Sequence, residues 1–127
     1  MRIFKNVWFR KFARRENISD AALCDAVARA RAGLIDADLG GGLIKQRVAR
    51  PGAGRSGGYR TLILFRADRR AVFAFGFAKN DRANLNEEEE AAFKKAAKLV
   101  LAFSEARMDA ELKTGRLTEV SCDDPNL

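Results

Sequence analysis

Leu43-Ile44-Lys45-Gln46-Arg47-Val48-Ala49-Arg50, then Tyr59-Arg60-Thr61-Leu62-Ile63-Leu64-Phe65-Arg66, then Ala71-Val72-Phe73-Ala74-Phe75-Gly76-Phe77-Ala78: these three stretches decide the fold. Each is short, rich in β-branched and aromatic residues, and bounded by glycine, proline or charged turn residues, so each reads as a strand. In the first, Ile44 and Val48 fall on one face and Lys45 and Arg47 on the other. In the third, Phe73, Phe75 and Phe77 alternate with small residues and predict one aromatic face. The stretch Pro51-Gly52-Ala53-Gly54-Arg55-Ser56-Gly57-Gly58 and the turn at Asp68 are short enough to make the three strands an antiparallel meander.

On the N-terminal side, Ile3 and Phe4 read as a short strand. Asn6 suits an N-cap for a helix with Val7, Trp8, Phe9, Phe12 and Ala13 on one stripe, and Arg10, Lys11, Arg14 and Arg15 outside it. Ser19 caps a second helix running to about Ala32, with Ala22, Leu23, Ala26, Val27 and Ala30 inward and Gly33 at its end. On the C-terminal side, Asn86 and Glu89 form a capping box, and Glu87 to Glu90 fill a first turn that favours negative charge. That helix is expected to run to about Ala106 and to bury Ala92, Phe93, Ala96, Leu99, Val100 and Phe103. A helical turn near Ala110 to Thr114 follows, and the tail 121–127 is expected to be mobile. The expectation is one α+β domain over residues 1–120. It has a small antiparallel sheet of three to four strands, an N-terminal helical hairpin and a long C-terminal helix.

Composition narrows the chemistry. The 127 residues carry 24 Lys and Arg, 17 Asp and Glu and no histidine, for a formal charge of +7. Without imidazole there is no serine–histidine–acid triad, no His-ligated metal and no histidine-pair ribonuclease. No metal or cofactor is expected. Cys24 and Cys122 are far apart in sequence, fit no CxxC motif, and are expected to be reduced thiols. With no long apolar run and no leader pattern at Met1-Arg2-Ile3-Phe4-Lys5, the expected location is the cytoplasm, with no membrane partner.

The charge is polarised. Residues 1–86 hold 18 basic and 7 acidic side chains, whereas residues 87–127 hold 6 and 10. Between Asp38 and Asp68 there is no acid, yet Lys45, Arg47, Arg50, Arg55, Arg60 and Arg66 all fall there. Such a stretch points to a polyanion. Lys45, Arg47, Arg60 and Lys79 can share one sheet face through antiparallel pairing, where they would repel one another without an anion among them. Arginines can clamp a phosphodiester bidentately, and a lysine crowded by cations can transfer protons in cleavage by the RNA's own 2′-hydroxyl. From charge and spacing alone, nucleic-acid binding is the stronger reading and cleavage the weaker.

The order of the K-x-R strand (Lys45, Arg47), the Gly54-Arg55-Ser56-Gly57-Gly58-Tyr59-Arg60 turn and Phe77-Ala78-Lys79-Asn80-Asp81 resembles the RelE/ParE superfamily of toxins. Within it, the chain is most similar to the RelE-like branch that includes the HigB toxins, over about residues 1–120. The resemblance implies a ribosome-dependent mRNA interferase that works without metal, with Lys45, Arg47, Arg60 and Lys79 as the catalytic set. It also implies a helix-turn-helix antitoxin as partner, in a toxin–antitoxin hetero-oligomer, with the ribosome and mRNA as targets. Arg10, Lys11, Arg14, Arg15, Arg50 and Arg55, together with Tyr59, are candidates for RNA or ribosome contacts, with the acidic helix start at Glu87 facing away. RelE toxins carry a tyrosine shortly after the last basic residue. Here the corresponding place is near Leu85, and the one tyrosine is Tyr59. Two alternatives stay open: a ParE-like gyrase inhibitor, and a basic module that binds RNA or the ribosome without cutting.

Overall fold

The computed structural model describes residues 1–50, 57–78 and 84–123. In chain order the elements are β1 (Arg2–Asn6), α1 (Val7–Arg15), α2 (Asp20–Arg31), β2 (Ala37–Gly40), β3 (Leu43–Val48), β4 (Tyr59–Arg66), β5 (Arg70–Ala78), α3 (Glu87–Val100), α4 (Glu105–Lys113) and β6 (Leu117–Glu119). The expected meander is present as β3-β4-β5, each pair antiparallel. It forms the middle of a mixed six-stranded sheet of order β2-β3-β4-β5-β1-β6, in which β1 runs parallel to β5 and antiparallel to β6. The α+β class therefore holds, while the purely antiparallel sheet of three to four strands does not. The outer strands β2 and β6 have four and three residues, too few to show a period of two in sequence.

Each sheet face buries its own apolar cluster. On one face, Ile3, Ile44, Val48, Tyr59, Ile63, Phe65, Ala71 and Phe73 pack against Phe9, Phe12 and Ala13 of α1 and Leu23, Ala26 and Val27 of α2. On the other, Phe4, Leu43, Leu62, Leu64, Val72 and Phe77 pack against Ala97 and Leu101 at the end of α3, Met108 of α4 and Leu117. Gly76 lets α1 approach, since a Cβ there would lie 2.7 Å from Phe12 Cε2. Wholly buried Gln46 donates to the Ala26 and Leu34 carbonyls (3.0 and 3.1 Å) and accepts from the Asp36 N–H (3.0 Å), fastening α2 to β3.

A bulge redistributes the three phenylalanines expected on one face. Leu62 pairs with Phe75 but Ile63 pairs with Phe73, so Ala74 is the extra residue. Phe73 stays under α1, while Phe75 and Phe77 turn to the face carrying Leu62 and Arg60. Asn6 caps α1 by accepting from the Phe9 N–H (2.8 Å) and donates its amide to the Ala74 carbonyl (3.0 Å), pinning the bulge.

The long C-terminal helix is also corrected. It stops at Val100, and Ser104 caps a separate helix by accepting from the Arg107 N–H at 3.1 Å. Arg70, 1% exposed, donates to the Val100 carbonyl and to Glu105, both at 3.0 Å, and so occupies the break. Ala92 and Leu99, expected inside, face solvent, with Leu99 61% exposed. Val7 and Trp8 likewise stand outside the core that the rest of their stripe enters.

The C-terminal segment is held where a mobile tail was expected. The Val120 N–H donates to Ile3 O (2.8 Å), the Ser121 N–H to Asp20 (3.0 Å), and Cys122 is disulfide-bonded to Cys24 with Cα atoms 5.8 Å apart. The expectation of two reduced thiols is thus overturned: β6 returns the chain beside the start of α2, a proximity invisible in sequence. Residues 124–127 lie outside the described residues. Among the described residues, no helix is long and apolar enough to cross a membrane.

Glu111, buried in α4, accepts from Arg116 and from Arg107, which hold its carboxyl below the usual carboxylate range despite its burial. A carboxylate lowered in the folded state contributes stability that is full above its unfolded pKa, near 4.3, and is lost as pH falls below that value. Glu111→Gln is therefore expected to lower stability at pH 7 and to flatten its decline below about pH 4. Denaturant midpoints measured from pH 3 to 7 check both signs.

Candidate functional site

The unusual electrostatics lie where β3 ends and β4 begins. Arg47 and Arg60 are direct cross-strand partners, and Lys45, two residues from Arg47, shares their face opposite Leu62. Like charges directly opposed in a ladder destabilise it. Several arginines elsewhere in this protein are ion-paired: Arg2 meets Glu105, Asp109 and Glu119, and Arg107 and Arg116 both meet Glu111. Arg47 and Arg60 form no ion pair among the described residues, and Arg60 Nη1 is buried without a hydrogen-bond partner. A buried guanidinium donor left unsatisfied, on a residue paired across the ladder with a second arginine, is a costly arrangement in the free protein.

The surrounding backbone fixes this geometry. Asp36 accepts from the Arg47 N–H (2.6 Å), and Arg29 donates to the Arg47 carbonyl (2.5 Å), holding β3 from the α2 side. Lys45 Nζ donates to Asn84 Oδ1 at 2.7 Å. Asn84 lies two residues before the Asn86 cap of α3, so this bond ties the approach to that helix to Lys45. Gly58 makes room for Arg47, because a Cβ there would sit 2.7 Å from Val48 O and 2.9 Å from Arg47 Nε. Gly58→Ala is expected to displace the guanidinium and, if the site is catalytic, to lower the cleavage rate about tenfold to a hundredfold. The overpacking costs about 1–3 kcal/mol. Single-turnover rates alongside circular dichroism of the variant check this.

The family described as "RelE toxin of RelE / RelB toxin-antitoxin system" matches residues 1–120. The chain belongs to the RelE toxin family. No curated protein matches it at a significant level. Its cationic face is thus the face of a toxin from a toxin–antitoxin system, and a RelE toxin has an antitoxin as its partner.

Of the basic set selected in this RelE toxin, the structure gathers Lys45, Arg47 and Arg60 on one face. Lys79 and Arg55 lie outside the described residues. Tyr59 does not join the cluster. It is 2% exposed on the opposite face, where its hydroxyl donates to Glu16 (3.1 Å) and the Arg50 guanidinium lies 5.6 Å from its ring centroid. Burial first, and then the bond to Glu16, push the phenol above its ordinary pKa, so it stays protonated at neutral pH. Arg15 and Arg50 border that second cleft with Glu16 and Asn17. Arg10, Lys11 and Arg14 ride on α1, which covers the face opposite Lys45, Arg47 and Arg60. Asn84 and Gly58 were not legible as site residues, since both act through partners distant in sequence. Among the described residues, no group of three or more His, Cys, Asp or Glu side chains is gathered as a metal site.

Proposed function

We propose that this RelE-family toxin is an mRNA interferase of the branch that includes HigB, cutting mRNA on the ribosome in the cytoplasm. Its neutralising partner in this reading is a helix-turn-helix antitoxin, in a toxin–antitoxin hetero-oligomer. The observation that carries the reading is the buried, unpartnered Nη1 of Arg60, a residue paired across the ladder with Arg47. A scissile phosphate seated there would satisfy both guanidinium groups. The RNA 2′-oxygen attacks the adjacent phosphorus, its proton leaves to a base, and the bond from phosphorus to O5′ breaks as an acid protonates that oxygen. The products are a 2′,3′-cyclic phosphate and a 5′-hydroxyl. Arg47 and Arg60 stabilise charge on the pentavalent phosphorane. Lys45, oriented by Asn84, and Lys79, placed by its motif, are the proton-transfer candidates. The chain's own cations supply the positive charge, so the step needs no resident metal.

The test is expression of the chain alone and with its neighbouring gene, followed by mapping of mRNA ends. The expected result is growth arrest with new 5′-hydroxyl ends on translated messages, relieved by the second gene. Arrest with intact mRNA and broken DNA would replace this reading with gyrase inhibition. Arrest with both intact would leave a ribosome-binding module that does not cut.

A further inference from the structure

We infer that Trp8 and Phe75 form a base-stacking subsite beside the cationic face, which seats an unpaired base of the RNA strand whose phosphate lies at Arg47 and Arg60. This rests on the RNA reading above and adds residues that charge and spacing did not select. Trp8 is the most exposed aromatic residue among those described, at 41%, and it opens α1 rather than filling the core. Its position follows from the topology. Strand β1 pairs with β5 only as far as Lys5 opposite Phe73, so the second half of β5 presents an edge on that side. Trp8 lies against this edge, its ring centroid 4.4 Å from Phe75 and 5.2 Å from Phe12.

The bulge at Ala74 makes the subsite part of the cationic face. It turns Phe75 and Phe77 to the side of Lys45 and Arg60, so two rows run across the sheet: Lys45, Leu62, Phe75 and Arg47, Arg60, Phe77. Phe93 of α3 closes the far side, 5.6 Å from Phe75. From β4 across β5 to its edge is two strand spacings, about 10 Å. A strand held by its phosphate at Arg60 can lay a neighbouring base there. Cations beside an exposed aromatic ring, here Trp8 against the half-buried Phe75, are a pattern that binds unpaired RNA, by phosphate contact and stacking together. The adjoining charge selects this occupant over an apolar protein side chain, because Arg47 and Arg60 have no acidic partner among the described residues.

Trp8 is the sole tryptophan, so intrinsic fluorescence reports directly on this subsite. The probe is a short single-stranded RNA with 2′-O-methyl riboses, which cannot be cleaved, titrated into the full chain. Binding is followed in parallel by anisotropy of a labelled copy. Tryptophan quenching is expected with the same midpoint as anisotropy, and an abasic substitution at one position should remove the quench. Trp8→Ala should weaken binding about tenfold to a hundredfold, and Trp8→Phe should largely restore it. Arg60-dependent anisotropy binding with unchanged Trp8 fluorescence would overturn the subsite and leave the proposed function standing. No Arg60-dependent RNA binding at all would overturn both. Trp8→Ala that abolishes antitoxin binding while RNA binding stays wild-type would overturn the subsite and make this surface a protein interface.

Discussion

Arg60→Leu is expected to raise the melting temperature of this toxin and, on the function proposed above, to abolish mRNA cleavage. Both effects have one cause. Arg60 Nη1 is buried without a partner and its strand neighbour is Arg47, so the free protein carries an unsatisfied donor and a like-charge pair in one place. A buried polar atom left unpaired costs about 1–3 kcal/mol, and replacing a half-buried, unpaired charge by a well-packed aliphatic side chain is often neutral or stabilising. Leucine continues the apolar surface of Leu62 and Phe77. A gain of about 1–2 kcal/mol would raise the midpoint by roughly 5 °C. In the proposed function the same donor meets charge developing on phosphorus, and its loss should slow the chemical step about a hundredfold to a thousandfold. Arg60→Lys keeps one charge without the planar fork and should fall between the two in rate. The measurements are thermal melts of the free toxin and single-turnover cleavage on programmed ribosomes. A lower melting temperature in Arg60→Leu would show that the guanidinium supports the fold, and near wild-type cleavage would remove it from the catalytic set.

The shared face of Lys45, Arg47 and Arg60 was legible because its geometry is local. Period-two alternation puts Lys45 and Arg47 on one face, and the antiparallel pairing of β3 with β4 makes Arg60 the partner of Arg47. The helix caps at Asn6, Ser19 and Asn86 were readable for the same reason, since each bond spans three residues. What escaped depends on contacts between distant segments. The bulge at Ala74 reverses the facing of Phe75 relative to Phe73, and no residue type marks it; Asn6, on another strand, pins it. Trp8 lies on the helical stripe with Phe9 and Phe12, yet the sheet ends beneath it, so periodicity counted it as core. Arg70 sits in a charged turn sequence but is buried, because the helix break between α3 and α4 needs a donor for the Val100 carbonyl.

Opening the disulfide is expected to be the most destabilising single chemical change available to this fold. Cys24 and Cys122 are 98 residues apart in sequence, so the bond closes most of the chain into one loop. Loop-closure entropy for about 100 residues corresponds to about 4–5 kcal/mol of stabilisation in the chain-entropy model. That is a large part of the roughly 5–15 kcal/mol that holds an ordinary domain. The bond also keeps Val120 in the first apolar cluster and the Ser121 N–H on Asp20, which together secure β6 against β1. Cys122→Ser, or reduction of the wild-type chain, should therefore lower the denaturation midpoint strongly. Exchange protection should be lost first at Thr118 to Ser121 and only later in β3, β4 and β5. The cationic face lies across the sheet from Cys24 and is built on those central strands, so the cleavage proposed for this toxin should change little in its reduced, still folded form. Urea denaturation with and without a thiol reductant, followed by residue-level hydrogen exchange, gives both numbers. A reductant shift below about 1 kcal/mol would mean that the reduced and unfolded chain already holds these ends together. A cleavage rate falling in step with reduction would tie the C-terminal segment to the positioning of Arg47 and Arg60.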